Sequence, residues 1–173
     1  IGGFESRVTQ ETKEIILESA VYDPGNCRRT GRRLKTLTEG GSRHEKLQDP
    51  NGVTFALERA LFLLQKYAGG KTTSQTSDYY PKPVKPWQID LEYEYLYSLS
   101  GMKILSSDVK NILMSLGFSI VKNSKEKIMV LVPTYRTDVT LEEDLIEEIV
   151  RIYGYDKIPV KTLSLEIPKN VTP

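Results

Sequence analysis

The chain has 173 residues, 39% hydrophobic and 27% charged, enough for one ordinary domain or two small ones with a packed core. Its formal net charge of +1 gives no global field toward nucleic acid or membrane, so any such partner needs a local patch. One cysteine, Cys27, and one histidine, His44, exclude an intrachain disulfide, a cysteine-based zinc site and most histidine-dependent triads.

The lone thiol fits a reducing, cytoplasmic setting. No apolar run approaches the ~20 residues of a membrane span, so no membrane partner is expected. The chain opens Ile1-Gly2-Gly3, with no visible signal peptide, and closes Asn170-Val171-Thr172-Pro173. Both ends read as cut, and a fragment of a longer protein is expected.

In chain order, Glu14 to Ala20 reads as a short strand and Gly25 to Lys35 as a short basic helix. On that helix Arg28 with Arg32, and Arg29 with Arg33, each share a face. Such a stripe suits RNA phosphates, and it also suits a solvated face or ion pairs to carboxylates elsewhere. The lack of interleaved aromatics favours the second reading. His44, between Arg43 and Glu45, reads as a surface histidine in a polar loop. Asp49-Pro50 predicts a helix start, with Asp as the cap and Pro in the first turn. Val53, Ala56, Leu57, Ala60, Leu61, Leu64 and Tyr67 follow at helical spacing, and Gly69 supplies a left-handed stop.

Gly69 to Pro86 is rich in Gly, Ser and Thr and closes on Pro81, Pro83 and Pro86, so it reads as an extended connector. Gly70-Lys71-Thr72 looks like the end of a phosphate-binding loop. Gln65 stands where that pattern needs glycine, and the triplet follows a helix rather than a strand.

Beyond the connector, Gln88 to Leu91 suggests a strand, and Glu92 to Leu99 a helix closed by Gly101. Ser106 or Ser107 caps a helix striped by Val109, Ile112, Leu113 and Leu116, with Gly117 as its stop. Phe118 to Lys122 and Lys127 to Val132 predict a hairpin. Thr140-Leu141-Glu142-Glu143 reads as a capping box for a helix running to Tyr153. Trp87, Tyr93, Tyr95 and Tyr97 suit packing of one amphipathic segment better than base stacking. The predicted fold class is α+β: a partial mixed unit, then a small helical domain with a β-hairpin wing. Winged-helix nucleic-acid binders share that second pattern, a likeness of fold only. A freestanding nucleic-acid-binding module is therefore the alternative functional reading.

The sharpest chemical signal is acidic. Asp144, Glu147 and Glu148 stand at i, i+3 and i+4 and share a helix face, with Asp138 in the preceding loop. Carboxylates so gathered repel unless a cation or basic partner neutralises them, and hard oxygens suit Mg²⁺. The alternative is that the helix dipole favours acids near its start and Glu147 pairs with Arg151.

Val132-Pro133-Thr134-Tyr135-Arg136-Thr137-Asp138, followed by the run from Glu143-Asp144-Leu145 to Lys157-Ile158-Pro159, resembles the signature of the β subunits of bacterial-type phenylalanine–tRNA ligases. Leu116-Gly117-Phe118 is similar to the same small fifth domain. Gly2-Gly3, Ser6, Thr12 and Leu17-Glu18-Ser19-Ala20 resemble the C-terminal part of the family's editing domain, as do Asp49-Pro50 and Ala68-Gly69-Gly70. Arg43-His44-Glu45-Lys46-Leu47 departs from the family's Arg-Phe-Glu-Arg-Gly pattern.

The resemblance implies an editing-domain part at 1–70, a connector at 71–86, the fifth domain at 87–159 and a tail at 160–173 leading to the next domain. It implies a cytoplasmic, ATP-dependent enzyme, an (αβ)₂ tetramer, that joins phenylalanine to tRNA(Phe). The synthetic site lies in the α subunit, so this chain alone is expected to be inactive. Glu18 matches the glutamate that reads the hydroxyl of misloaded tyrosine, and Gly2 and Gly3 match glycines of that editing pocket. A buried carboxylate there would discriminate strongly against phenylalanine. Asp138, Asp144, Glu147 and Glu148 match positions assigned to a Mg²⁺ site shared with the α subunit. ATP would bind only in the full enzyme.

Overall fold

The computed structural model describes residues 3–72 and 76–160. The chain divides into two units, Ile1–Lys85 with Thr134–Thr137, and Pro86–Pro133 with Asp138–Pro173. The architecture is α+β. The expected tail lies, from residue 161 on, outside the described residues.

The second unit is built on a three-stranded antiparallel sheet in the order β1-β3-β2, with β1 at Trp87–Glu92, β2 at Ser119–Asn123 and β3 at Lys127–Val132. Strand β3 alternates: Ile128, Val130 and Val132 are buried, while Lys127 is exposed. That period of two aims one face inward. Opposite them, β1 contributes Leu91 across from Ile128 and Ile89 across from Val130. The predicted two-stranded wing thus gains a third strand, because Gln88 to Leu91 pairs with β3 rather than standing alone. A bulge between Ile120 and Lys122 breaks the β2 register.

Three helices complete this core. Helix α4 (Tyr93–Ser100) buries Tyr93 and Leu96 and ends on Gly101 at φ 71°. Helix α5 (Ser106–Ser115) buries Val109 and Leu113. Neither Ser106 nor Ser107 caps it: Leu105 holds the cap position, and no side chain accepts there. Helix α6 (Glu142–Tyr153) buries Leu145, Ile146, Ile149 and Val150 along one stripe. The aromatic cluster serves packing: the Trp87 indole donates to the Val139 carbonyl at 3.0 Å, and the Tyr97 hydroxyl to the Ile104 carbonyl at 2.9 Å. Tyr155–Lys157 forms a final 3₁₀ turn.

In the first unit, helix α1 (Pro24–Leu34) is capped by Asp23, whose carboxylate accepts the Asn26 amide at 2.6 Å. Lys35 ends it in the left-handed region. Helix α2 (Glu39–His44) was not expected, because its two glycines mask it; the Thr38 hydroxyl caps it through the Gly41 amide at 3.0 Å. Helix α3 (Gly52–Ala68) starts two residues later than Asp49-Pro50 predicts. Asp49 is spent elsewhere, accepting the Asn51 amide at 2.9 Å and the Thr134 hydroxyl at 2.9 Å. Gly69 closes α3 at φ 65° as expected. The predicted strand at Glu14 to Ala20 does not form. A strand needs a ladder neighbour, and this unit offers none among the described residues.

Candidate functional site

Two groups of candidate residues fall in separate units. In the first unit Gly2 lies outside the described residues. The Gly3 carbonyl accepts the amide and hydroxyl of Ser6, at 3.3 and 3.2 Å. A Cβ added to Gly3 would meet nothing closer than 3.8 Å, so close backbone packing does not demand glycine here.

Glu18 sits in a segment without regular secondary structure and is exposed, not buried as a discriminating carboxylate would be. Its carboxylate accepts the hydroxyl of Tyr22. That hydrogen bond, and then the negative charge of Glu18, raise the Tyr22 phenol above its ordinary range. The Tyr22 ring meets His44 edge-on, with centroids 5.0 Å apart. His44 ends α2 half-buried, with Nδ1 buried and no hydrogen-bond partner, so the surface-loop reading of this residue is wrong. Tyr22 escaped the sequence reading because it is four residues from Glu18 in a segment with no helical period. The structure brings Glu18, Tyr22 and His44 together, and among the described residues no hydrogen bond ties Gly3 to them.

In the second unit the acids divide their tasks at the start of α6. Asp144 is the carboxylate that caps the helix, accepting the amides of Thr140 at 2.7 Å and Leu141 at 2.8 Å. These two backbone hydrogen bonds hold its pKa below the ordinary carboxylate value, against the opposing charge of Asp138. Glu143, expected in that role, accepts the Tyr95 hydroxyl at 2.7 Å, which lowers its pKa. Glu142 accepts the amide of Glu92, the last residue of β1, at 2.6 Å.

Arg151 pairs with Glu148 at 2.6 Å, three residues away, rather than with Glu147. Glu147 is exposed, and no hydrogen bond or ion pair engages it among the described residues. Asp138 is exposed and close enough to Asp144 for their charges to interact. Mg²⁺ asks for about six oxygens at roughly 2.0–2.1 Å. Among the described residues no three His, Cys, Asp or Glu side chains gather to hold a metal ion. The four candidate acids therefore do not close a cation site by themselves.

Comparison with known proteins adds a second line of evidence. The B3/4 domain family matches residues 1–69, and the tRNA synthetase B5 domain family matches residues 89–155. The phenylalanine–tRNA ligase β subunit of Staphylococcus saprophyticus is 40% identical over 92% of this chain and 20% of its own length. That of Porphyromonas gingivalis is 43% identical over 91% of this chain and 19% of its own. That of Clostridium acetobutylicum is 36% identical over 94% and 20%. A solved N-terminal fragment of the phenylalanyl-tRNA synthetase β subunit from Pyrococcus horikoshii gives a TM-score of 0.39 at 23% identity, over 43% of this chain and 21% of that one, a likeness too slight to argue from. The chain spans about a fifth of the curated relatives it matches. Among the described residues no helix is long and apolar enough to cross a membrane.

Proposed function

We propose, for a chain that belongs to the phenylalanine–tRNA ligase β-subunit family, that it works as part of an aminoacyl-tRNA synthetase joining phenylalanine to tRNA(Phe) with ATP. The observation that carries this reading is a B3/4 match followed by a B5 match, aligned with relatives of that name over nine-tenths of the chain. A freestanding nucleic-acid-binding module would explain the helices and hairpin but not that succession. In this reading residues 1–70 belong to the editing domain, 71–86 connect, 87–159 form the small fifth domain, and 160–173 lead onward. The α subunit carries the synthetic site, in a cytoplasmic (αβ)₂ tetramer, and this chain alone does not charge tRNA.

Gly2, Gly3 and Glu18 are assigned to the editing pocket. In support, the Glu18 carboxylate accepts a phenol hydroxyl, that of Tyr22, so a tyrosine substrate would present chemistry this group already accommodates. The exposure of Glu18 in this chain means that the enclosure needed for discrimination comes from elsewhere in the domain. Asp138, Asp144, Glu147 and Glu148 are assigned to one edge of a Mg²⁺ site completed by the α subunit. When bound, the ion would neutralise facing charges and couple metal binding to subunit assembly. Exposed Glu147 is the ligand this chain holds most ready.

The test is made in the full-length protein assembled with its α subunit. Phenylalanine-dependent charging of tRNA(Phe) is expected, and its absence would overturn the reading. Glu18→Ala should lower hydrolysis of Tyr-tRNA(Phe) by about 10- to 100-fold, the worth of a hydrogen bond to a charged group. Unchanged assembly, bound Mg²⁺ and charging after Glu147→Gln with Glu148→Gln would remove the metal assignment.

A further inference from the structure

Helix α1 carries charge that the proposed chemistry does not use. Arg28, Arg29, Arg32 and Arg33 are all exposed, while Cys27, Thr30 and Gly31 are half-buried. At about 100° per residue the four arginines fall within about 140° of arc, opposite the packed face. Lys35, exposed at the end of the helix, extends the positive surface.

The ordinary explanations cover only part of this arrangement. The negative end of the helix dipole favours Arg32 and Arg33 in the last turn, but not Arg28 and Arg29 in the middle. Like charges four residues apart weaken a helix unless something neutralises them. Only Arg28 has an acidic partner among the described residues, Glu45 at 3.8 Å. Arg29, Arg32 and Arg33 have none. The near-zero net charge of the chain also hides a segregation. The first unit holds fifteen Lys and Arg against ten Asp and Glu, and the second holds nine against thirteen.

We infer that the arginine face of α1 is a docking surface for the phosphodiester backbone of an RNA. Three unpaired guanidiniums on one rigid helix face each offer a planar fork that matches a phosphate in two hydrogen bonds. The surface has no interleaved aromatic to stack a base, so it reads backbone charge and not sequence. The identity of the RNA as tRNA rests on the ligase reading. The basic face itself does not.

The experiment measures binding of tRNA(Phe) to the full-length protein by fluorescence anisotropy between 50 and 200 mM salt. Each lost phosphate contact lowers the slope of log affinity against log salt by about 0.7–0.9, so replacing Arg29, Arg32 and Arg33 with Gln should lower it by about two to three. Over that salt range the wild-type protein should lose about 20- to 40-fold more affinity than the variant. Replacing the same residues with Lys should restore the slope, because the charge returns, and far-UV circular dichroism checks that the helix survives. An unchanged slope in the Gln variant overturns the inference. So does arginine-dependent binding to poly-glutamate or phosphatidylserine vesicles without a matching effect on tRNA. Neither outcome touches the ligase reading, which stands or falls on charging and on Glu18→Ala.

Discussion

Helices α3 and α6 invite direct comparison. α3 is the longer, with 17 residues and a left-handed glycine stop, yet it buries none of its side chains. α6 has 12 residues and buries four. The contrast extends to the units that contain them: every buried hydrophobic side chain among the described residues lies between Ile89 and Val150. The first unit instead exposes Phe55 at 73%, Tyr67 at 74% and Ile16 at 99%. A helix therefore forms on local periodicity and caps, whereas a core needs a second surface to close over it. The second unit contains that surface in its sheet, and the first does not among its described residues.

Amide exchange should separate the two units by orders of magnitude. Amides of β1, β3 and α6 should exchange at the rate of global unfolding, and those of α1 to α3 through much cheaper local opening. Limited proteolysis should likewise cut ahead of Pro86 and spare 87–159. Early cleavage within residues 105 to 155 would reverse the comparison.

Truncation sharpens it side chain by side chain. Leu91→Ala, at a fully buried position between sheet and helices, should cost about 2–5 kcal/mol in urea unfolding. Phe55→Ala, at an exposed position of α3, should stay within about 0.5 kcal/mol. Equal losses at the two positions would mean that Phe55 is covered in solution.

The smallest effect concerns the α6 cap. Asp144→Ala should cost about 0.5–2 kcal/mol, since two backbone amides lose their acceptor. The folded-state pKa of Asp144 is depressed, so its contribution is complete above the unfolded value of about 3.9. It fades as pH falls below that value and is gone once pH is below the folded one. Urea midpoints of wild type and Asp144→Asn should therefore differ at pH 7 and converge at low pH. A gap independent of pH would assign the effect to packing.

The amino-acid sequence determined by itself what depends on neighbours a few residues away. The helical spacing over Val53 to Tyr67, the glycine stops at Gly69 and Gly101, and the inward alternation of Ile128, Val130 and Val132 all follow from side-chain period and backbone freedom. So did the long run from Val132 to Pro159 that identified the family. Only the tertiary structure decided which partner each polar group takes. Asp144, rather than Glu143, caps α6, because Tyr95 arrives from another helix to claim Glu143. Arg151 pairs with Glu148 rather than Glu147, Asp49 holds Thr134 instead of capping α3, and Glu14 to Ala20 forms no strand, because the first unit offers no neighbouring strand among its described residues. A carboxylate has several donors within reach in sequence, and its final partner depends on which distant group folding brings within about 3 Å. Spacing along the chain carries no record of that arrival, so it placed the acids on one helix without revealing that capping and pairing would divide them.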